Sequence, residues 1–239
     1  MNIYEIKTPE ELLTPNPYPG RGIVIGMTPD GLKAVTAYFI MGRSENSRNR
    51  VFVEKDGTVL TEPFDPAKVK DPSLIIYNAV RSLDNHLIVT NGDQTDTIYE
   101  GLGRGLSFSE SLESRCFEPD GPNWTPRISG LLTFAGGGFR YQMSILKSAN
   151  PEGTRCNRFT YAYAPVAGVG HFLHTYAEDG DPLPTFQGEP ERMAIPQDID
   201  ALTESLWSSL NEDNKISLYV RMIDLTTGET ESRLVNKHQ

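Results

Sequence analysis

Five short polar segments, spread over the first 128 residues, each stand beside an apolar, strand-like stretch. In chain order they are YPGRG (18–22), GRSENSRNR (42–50), YNAVR (77–81), VTNGDQTD (89–96) and TPRI (125–128). The arginines that they hold are Arg21, Arg43, Arg48, Arg50, Arg81 and Arg127. A planar guanidinium group binds phosphate or carboxylate through paired hydrogen bonds and stacks on flat rings. The segments therefore predict a pocket for a phosphorylated, planar, hydrogen-bond-rich ligand such as a nucleotide.

A surface role is the alternative for these arginines, because the chain has an excess of acids that could pair with them. Its 22 Lys+Arg stand against 32 Asp+Glu, a formal net charge of −10. Exposed ion pairs of this kind contribute little to stability and need no ligand. The acidic balance disfavours a protein that coats nucleic acid, since phosphate backbones select basic surfaces. It allows a small anionic ligand, because the local field of a pocket can oppose the net charge.

Other signatures of catalysis or metal binding are weak in this sequence. The glycine-rich runs 101–105 and 135–138 lack the spacing of a phosphate-binding loop and read as turns or helix caps. His171 and His174 are three apart in a predicted strand, so their side chains should point to opposite faces and build no metal site. The two cysteines, 40 residues apart without a CxxC pattern, are expected to be reduced thiols. We therefore expect neither a metal nor a cofactor.

The hydrophobic pattern predicts a chain of antiparallel hairpins with few helices. Strands are predicted at 21–27, 33–41, 49–55, 58–63, 73–81, 86–92, 127–134, 139–146, 158–166, 170–177, 216–225 and 230–236. Helices are predicted at 93–102, 108–117 and 198–210. Helices come between blocks of strands, which favours an α+β fold over a doubly wound parallel sheet. Several strands are apolar on both faces, so we expect two packed sheets with helices outside.

Length and composition favour one domain over residues 1–239. A β-rich domain can reach this size, and no composition break divides the chain. Residues 1–17 are interpreted as an N-terminal extension and 178–196, rich in Pro and Gly, as a long surface loop. No apolar run approaches the ~20 residues of a membrane span, and the first 20 residues lack the apolar core of a secretory signal. We expect a cytoplasmic protein that does not bind membranes.

Taken in order and spacing, the five polar segments resemble the archaeal-type IMP cyclohydrolase family, including its bacterial members. The resemblance covers roughly residues 18–135 and, more weakly, GHFLHTY (170–176). It implies a four-layer αββα sandwich, similar to the N-terminal-nucleophile hydrolases. It also implies the last step of purine biosynthesis, the dehydrative ring closure of 5-formamidoimidazole-4-carboxamide ribotide to IMP. This purine nucleotide is the partner that the resemblance implies, without a cofactor, and a homo-oligomer is allowed.

The resemblance also assigns roles to residues. It makes Tyr77, Arg50 and Glu118 the catalytic candidates, with Tyr77 and Glu118 in proton transfer. Arg21, Arg43 and Arg50 are together the candidates for binding the 5′-phosphate and for polarising the formyl oxygen. The substrate-binding candidates are Arg21, Arg43, Ser44, Asn49, Asn78, Arg81, Asn91, Gly92, Thr95, Asp96, Thr125 and Arg127. Each has a structural alternative: Tyr77 as a core aromatic, Glu118 as a solvated loop acid, and the 91–96 group as a strand-to-helix turn.

Two other functions are consistent with the residues. An amide-bond hydrolase of the N-terminal-nucleophile type would expose a Ser, Thr or Cys by cleavage, and an intact mass of all 239 residues would contradict it. The chain begins Met1-Asn2, so we expect the fold without the nucleophile chemistry. A non-catalytic purine-nucleotide-binding module would bind IMP without turnover. The chain is also too short to include a formyl-transferring domain, so another protein is expected to supply the formyl group.

Overall fold

The computed structural model describes residue 2, residues 4–69 and residues 76–238. The strands are β1 (Arg21–Met27), β2 (Lys33–Met41), β3 (Val51–Lys55), β4 (Thr58–Glu62), β5 (Asn78–Leu83), β6 (His86–Thr90), β7 (Arg127–Ala135), β8 (Gly138–Ser148), β9 (Cys156–Tyr163), β10 (Val169–His174), β11 (Glu191–Ala194), β12 (Lys215–Asp224) and β13 (Thr230–Asn236). The α-helices are α1 (Pro9–Leu13), α2 (Glu45–Arg48), α3 (Gln94–Gly103), α4 (Phe108–Ser111) and α5 (Ile199–Ser209), with a 3-10 turn at Pro66–Lys68.

The strands form two sheets in which each pair of neighbouring strands is antiparallel. The first sheet has the order β11-β10-β1-β2-β12-β13, and the second runs β3-β4-β5-β6-β7-β8-β9. Several pairs of consecutive strands form hairpins, for example β3 and β4 across Asp56-Gly57. The α+β fold with mainly antiparallel sheets is therefore confirmed.

Three apolar clusters define the layers. The largest joins the facing sides of the two sheets, with Ile23 and Ile25 of β1 in the same cluster as Val89 of β6. A second covers the outer face of the first sheet with α1 and α5, and a third covers the outer face of the second sheet with α3 and α4. Apolar residues on both strand faces are thus explained by burial on both sides. The layers follow the order helix, sheet, sheet, helix.

The antiparallel register brings the polar segments to one end of the sandwich. Arg21 at the start of β1 pairs with Ile40 near the end of β2, and Gly22 pairs with His174 at the end of β10. In the second sheet, Thr90 at the end of β6 pairs with Ser129 near the start of β7. Neighbouring strands run in opposite directions. The segment before one strand and the segment after its neighbour therefore lie at the same end of the sheet.

Helix α5 follows the predicted pattern closely. Asp198 accepts a hydrogen bond from the backbone N–H of Ala201 at 2.9 Å, as an N-cap residue does. Leu202 and Leu206 are fully buried against the first sheet. The helix therefore begins and ends within one residue of the prediction.

Several predicted elements were wrong in extent. The predicted loop 178–196 contains β11, a short edge strand recognisable only through its pairing with β10. Helix α4 ends at Ser111 rather than at 117, because the chain must turn back for the backbone N–H of Glu118 to donate to the carbonyl of Thr125. Two short helices, α1 and α2, went unpredicted although each begins with a capping box, at Thr8 and Ser44.

Only part of the strand predicted at 73–81 can be compared with the structure, where it corresponds to β5. The predicted strand 73–81 begins in residues 70–75, which lie outside the described residues, and the observed strand ends two residues later, at Leu83.

Both cysteines are free thiols, as predicted. No helix in the described part of the chain is both long enough and apolar enough to span a membrane.

Candidate functional site

A cavity of about 230 Å³ lies at the end of the sandwich where the polar segments meet. Among its lining residues are Tyr18, Arg21, Arg43, Arg50, Thr125 and Tyr176. Four of these were predicted to belong to the site, and Ser44 also lines the cavity. Three arginines around one small cavity make it suited to an anion or to a polarised carbonyl oxygen.

A larger cavity, of about 570 Å³, lies between α3 and α4 but has the opposite character. Its lining includes the carboxylates of Asp93, Asp96, Glu100, Glu110 and Glu113. A phosphorylated ligand would be repelled there, since like charges raise the free energy of the bound state. Chemistry rather than size therefore identifies the smaller cavity as the candidate site.

Arg21 is held at the start of β1 by a tight backbone approach. Gly20 has φ +79°, and a Cβ there would lie 2.5 Å from the ring of Tyr176. Only glycine accommodates both the left-handed backbone and this contact. The Thr175 hydroxyl then accepts a hydrogen bond from the backbone N–H of Arg21 at 3.1 Å. The YPGRG segment thus fixes where the guanidinium group enters the cavity.

Arg50 reaches the same cavity from the other side, after the short helix α2. Ser44 caps this helix through reciprocal hydrogen bonds with Ser47, and the carbonyl of Ser47 accepts from Nε of Arg50 at 2.8 Å. The residue is 1% exposed. Burial lowers the pKa of Arg50, and the positive charge of Arg21 lowers it further. Two buried cations so close together are costly without an anionic or strongly polar ligand.

Two guanidinium N–H groups in this cavity have no partner. Nε of Arg21 and Nη1 of Arg50 are buried and make no hydrogen bond to any described residue. An unpaired buried donor carries its full desolvation cost. Orphaned donors on two converging arginines are what a site for a ligand oxygen would present.

Glu118 lies behind Arg21 rather than on the cavity wall. Its carboxylate Oε2 is 3.6 Å from Nη2 of Arg21, and the side chain is almost completely buried. Burial raises the pKa of Glu118 above its usual range, against the lowering effect of Arg21 and Arg127. A carboxyl group with a raised pKa is suited to exchanging protons near neutral pH. The alternative of a solvated loop acid was wrong.

Tyr77 lies directly before β5 and is also buried. Its hydroxyl is 2.7 Å from the hydroxyl of Tyr38 on β2, so the pair joins the two sheets. Burial raises the pKa of Tyr77, although Arg50 and Arg21 act in the opposite direction. The phenol therefore stays protonated at neutral pH and can donate a hydrogen bond. Its charge interactions with Arg50, Arg21 and Glu118 place it beside this group.

Arg43 occupies the exposed rim. Its side chain is 37% exposed, and its guanidinium carbon lies 5.0 Å from the centre of the Tyr18 ring. Nη1 donates to Asp179 Oδ1 at 2.6 Å and to the carbonyl of Gly180 at 2.9 Å. Arg43 thereby ties the segment after Tyr176 to the cavity. A ligand phosphate could replace the Asp179 carboxylate as its partner.

The remaining wall is a hydrogen-bonded chain of three side chains. The Thr125 hydroxyl contacts both the Asp120 carboxylate and the Tyr176 hydroxyl, which is 2.5 Å away. The backbone N–H of Thr125 donates to Asp120 Oδ1 at 2.7 Å. The Tyr176 ring stacks on Tyr18 with centroids 5.8 Å apart. Oxygen atoms of Thr125, Asp120 and Tyr176 thus belong to residues that line the same cavity as the arginines.

Three of the predicted binding residues pair with each other elsewhere. Asn78 Nδ2 donates to Asp96 Oδ1 at 2.9 Å, and Arg81 Nη1 donates to the same oxygen at 2.6 Å. The Arg81 guanidinium group also lies 3.6 Å above the ring of Tyr99. None of the three lines the arginine cavity, and Asp96 lines the acidic one. We propose that they fasten β5 to α3.

A second predicted group forms the turn between β6 and α3. Asn91 and Thr95 are fully buried, and a Cβ on Gly92 would lie 2.7 Å from Nη1 of Arg127. Arg127 donates from Nη1 to Asp93 Oδ1 at 2.7 Å and to Gln94 Oε1 at 2.8 Å. The structure brings these residues together, but as a strand-to-helix turn beside the cavity.

Asn91→Ala is expected to lower the free energy of unfolding by about 3 kcal/mol. The Asn91 side chain donates to the carbonyl of Pro126 and accepts from the backbone N–H of Ile128 and from Gln94, each at 2.9 Å. Removing it leaves several buried groups unpaired. Urea unfolding would measure the loss. The exposed variant Asn85→Ala, which loses a single hydrogen bond to Phe134, is the control, and an equal loss there would contradict the prediction.

Asn49 and the two histidines His171 and His174 do not line the arginine cavity. Asn49 donates to the carbonyl of Asp65 and accepts from its backbone N–H, at 2.8 and 2.7 Å, so it braces the segment between α2 and the 3-10 turn. His171 bonds the Tyr141 hydroxyl and His174 lies near Glu191, so the histidines face different partners. No cluster of metal-ligating side chains occurs among the described residues.

Sequence reasoning missed seven cavity residues. They are Tyr18, Met41, Ser47, Asp120, Asn123, Tyr176 and Leu183. Tyr18 stands inside YPGRG and Tyr176 ends GHFLHTY, so both lay in segments already singled out. Asp120 and Asn123 lie in the loop before TPRI, which has no pattern of its own. Their contribution follows from the fold of that loop onto Thr125.

Comparison with known families agrees with the position of the cavity. A family model described as IMP cyclohydrolase-like protein matches residues 18–229, which include every residue of the cavity described above. The chain belongs to this family. The match begins at Tyr18, the first residue of the YPGRG segment, so the resemblance drawn from the five polar segments is confirmed.

Relatives in archaea carry the name IMP cyclohydrolase. The Methanopyrus kandleri protein is 35% identical over 165 residues, or 67% of this chain and 76% of the relative. Those of Haloarcula marismortui and Natronomonas pharaonis are each 37% identical, over 119 and 120 residues. These two alignments span 48% of this chain and 54% and 58% of the relatives.

Proposed function

We propose that the protein is an IMP cyclohydrolase, which closes the ring of 5-formamidoimidazole-4-carboxamide ribotide with loss of water. The carboxamide nitrogen attacks the formyl carbon of the same molecule, and the formyl oxygen leaves as water. One observation carries the proposal beyond family membership. Arg21 and Arg50 both line one cavity and each has a buried N–H group without a partner among the described residues, which favours a site for the developing charge on a formyl oxygen.

Because both reacting groups belong to one molecule, much of the catalysis is conformational. The site must hold the formyl carbon against the carboxamide nitrogen, and two arginines that line the same small cavity favour such a pose. Arg50 then stabilises the negative charge on the formyl oxygen as the new C–N bond forms. Tyr77, kept protonated by burial, donates to that oxygen as it leaves.

The carboxamide nitrogen must lose a proton during ring closure. Glu118, held 3.6 Å from Arg21, is the group that we assign to accept it. Its raised pKa makes the carboxylate a stronger base than an exposed glutamate, while its ion pair with Arg21 keeps it beside a residue that lines the cavity. The same group can pass that proton to the former formyl oxygen, and the formamido N–H supplies the second proton as the ring C=N bond forms and the C–O bond breaks, so that the oxygen leaves as water and atoms and charge balance.

Arg43 is the residue that we assign to the 5′-phosphate. It lies at the exposed rim, where a dianionic group stays partly hydrated, whereas Arg50 is buried and the Arg21 side chain is only 12% exposed. Its present partner, Asp179, shows that a carboxylate is already accommodated at this position. Phosphate would take the place of that carboxylate through two N–H groups.

Arg43→Gln is expected to raise KM about tenfold or more with little change in kcat, because a charge-assisted contact to a non-reacting group is lost. Steady-state kinetics with the formamido ribotide would measure both constants. Arg48→Gln is the matched control, since Arg48 lies at the other end of α2 and donates to the carbonyl of Gly42. A fall in kcat alone would contradict the assignment to phosphate.

The activity itself is tested by adding the formamido ribotide to purified protein and following IMP by chromatography against the uncatalysed closure. Acceleration is expected. Binding of IMP without acceleration would contradict the proposed enzyme and favour a nucleotide-binding module.

We also infer that the four layers correspond to the N-terminal-nucleophile hydrolase fold. The order helix, sheet, sheet, helix supports this, and superposition on a solved member of that fold would test it. A cytoplasmic location, a homo-oligomer and the absence of nucleic-acid binding stay predictions.

A further inference from the structure

The hydrogen bonds between Asp120, Thr125 and Tyr176 have a fixed direction. Asp120 accepts from Thr125 twice, once from the backbone N–H at 2.7 Å and once from the hydroxyl. A hydroxyl group has a single proton and two lone pairs. Because Thr125 gives its proton to the carboxylate, it can only accept from the Tyr176 hydroxyl, which lies 2.5 Å away. Tyr176 is therefore the donor in this pair.

The number of protons and lone pairs also determines which hydrogen bond Tyr176 can make with a ligand. Its one proton is used on Thr125, so its oxygen has only lone pairs left. Burial raises the pKa of Tyr176 above its ordinary value, so the phenol keeps that proton. The ring is fixed by its stacking on Tyr18 and by the close approach of Gly20. The cavity thus has arginine donors on one side and a neutral acceptor on another.

We propose that Tyr176 accepts a hydrogen bond from an N–H of the substrate carboxamide, with Thr125 and Asp120 as positioning residues that fix the direction of this bond. The inference rests on the proposed function and deepens it. A carboxamide nitrogen has two N–H bonds, of which one is lost in the reaction. A bond from the other to Tyr176 leaves the first free for Glu118 and holds the nitrogen in place.

The arrangement also predicts which ligands the site rejects. Arginine donors bind any oxygen acceptor, so they alone would accept an ester or an amide in the same position. A fixed acceptor adds a preference for the group that carries N–H, because an ester oxygen opposite Tyr176 leaves lone pairs facing lone pairs. Tyr176 would therefore be the residue that selects the 4-carboxamide.

Two unreactive probes test this selection. The first is 5-aminoimidazole-4-carboxamide ribotide, which lacks the formyl group and cannot close, and the second is its 4-methyl ester. Their dissociation constants with the full-length protein give an ester-to-amide ratio. Comparing this ratio between parent and variant cancels any fixed steric difference between the two probes. The parent is expected to prefer the amide about tenfold, as one neutral hydrogen bond allows.

Tyr176→Phe keeps the stacked ring but removes the acceptor, so the ratio is expected to fall to near one. Thr125→Val is the second variant, because without the Thr125 oxygen the Tyr176 proton is free to turn towards the ligand. The ratio should fall there too, although Tyr176 is intact. Thr125→Ser keeps the hydroxyl and should restore the preference, which a purely structural role for Thr125 would not require.

Tyr141→Phe is the matched control, since Tyr141 is a buried tyrosine whose hydroxyl bonds His171 at 2.7 Å and does not line the cavity. Its ratio should equal that of the parent even if stability falls. The inference is overturned if the parent shows no preference, if Tyr176→Phe retains it, or if Thr125→Val retains it. Failure of the proposed function is separate, because it appears as no acceleration of ring closure by the parent protein.

Discussion

Arg50→Met is expected to lower kcat/KM about 10²–10³-fold while leaving the protein at least as stable as the parent. The loss of activity follows from the position of Arg50, which lines the cavity, has an unpaired, buried Nη1 and is assigned here to the formyl oxygen. A preorganised donor of this kind acts mainly on the transition state, so kcat should carry most of the effect.

The expected stability follows from the cost of Arg50 in the absence of substrate. The residue is 1% exposed and lies beside a second cation, Arg21, and burial followed by this repulsion lowers its pKa. Methionine fills a similar volume without a charge and removes the unpaired donor. Functional sites commonly keep such unfavourable groups because activity needs them.

Urea unfolding and steady-state kinetics on the same preparation would measure both effects. Arg48→Met is the control, because this arginine is two residues away, donates to Gly42 and lines a different cavity. Activity near that of the parent is expected there. An Arg50→Met variant that is active, or one that is inactive because it unfolds, would contradict the assignment.

Glu118→Gln is expected to lower kcat about 10²–10⁴-fold, because the amide cannot accept a proton. In the parent protein, activity should fall on the acidic side with an apparent pKa above the usual glutamate range, since burial raises the pKa of Glu118. That acidic limb should be absent from the residual activity of the variant. A variant with the parent's pH profile would show that another group accepts the proton.

The same raised pKa has a consequence for stability, with a definite sign. A carboxyl group whose pKa is higher in the folded than in the unfolded state stabilises the fold fully below the unfolded value. That contribution is lost as the pH rises through the raised pKa of Glu118. Relative to the parent, Glu118→Gln should therefore gain stability as the pH increases from acidic towards neutral.

Unfolding by urea at several pH values, in parent and variant, would measure this difference. Glu113→Gln is the matched control, because Glu113 is exposed on the same connection after α4. The difference in the free energy of unfolding between Glu113→Gln and the parent should not change in this way with pH. If the difference in the free energy of unfolding between Glu118→Gln and the parent were the same at every pH, the assignment of Glu118 as a buried carboxyl group with a raised pKa would be contradicted.

Much of the fold followed from local sequence pattern. The hairpin formed by the strands predicted at 49–55 and 58–63, the helix predicted at 198–210 and the strands apolar on both faces were predicted correctly, because turn chemistry, helical periodicity and burial act over a few neighbouring residues. Strand β11 and helices α1 and α2 were missed. Each has only four or five residues, so its existence depends on packing or pairing with distant parts of the chain.

The residues of the candidate site were likewise predicted only in part from the sequence. Residue type and spacing by themselves singled out six arginines, Arg21, Arg43 and Arg50 among them, together with a class of ligand, because guanidinium groups bind phosphate and carboxylate. They could not separate these arginines from Arg81, which pairs with Asp96 away from the cavity. Which side chain enters a cavity depends on strand register and on the face from which it projects.

Only the tertiary structure decided the far wall of the cavity. Thr125 and Tyr176 are 51 residues apart in sequence, yet their hydroxyl groups are 2.5 Å apart. No local pattern encodes this contact, since it arises where the end of β10 meets the loop before β7. The sequence therefore determined the donors and their chemistry, whereas the packing of two sheets decided which acceptor faces them and in which direction its proton points.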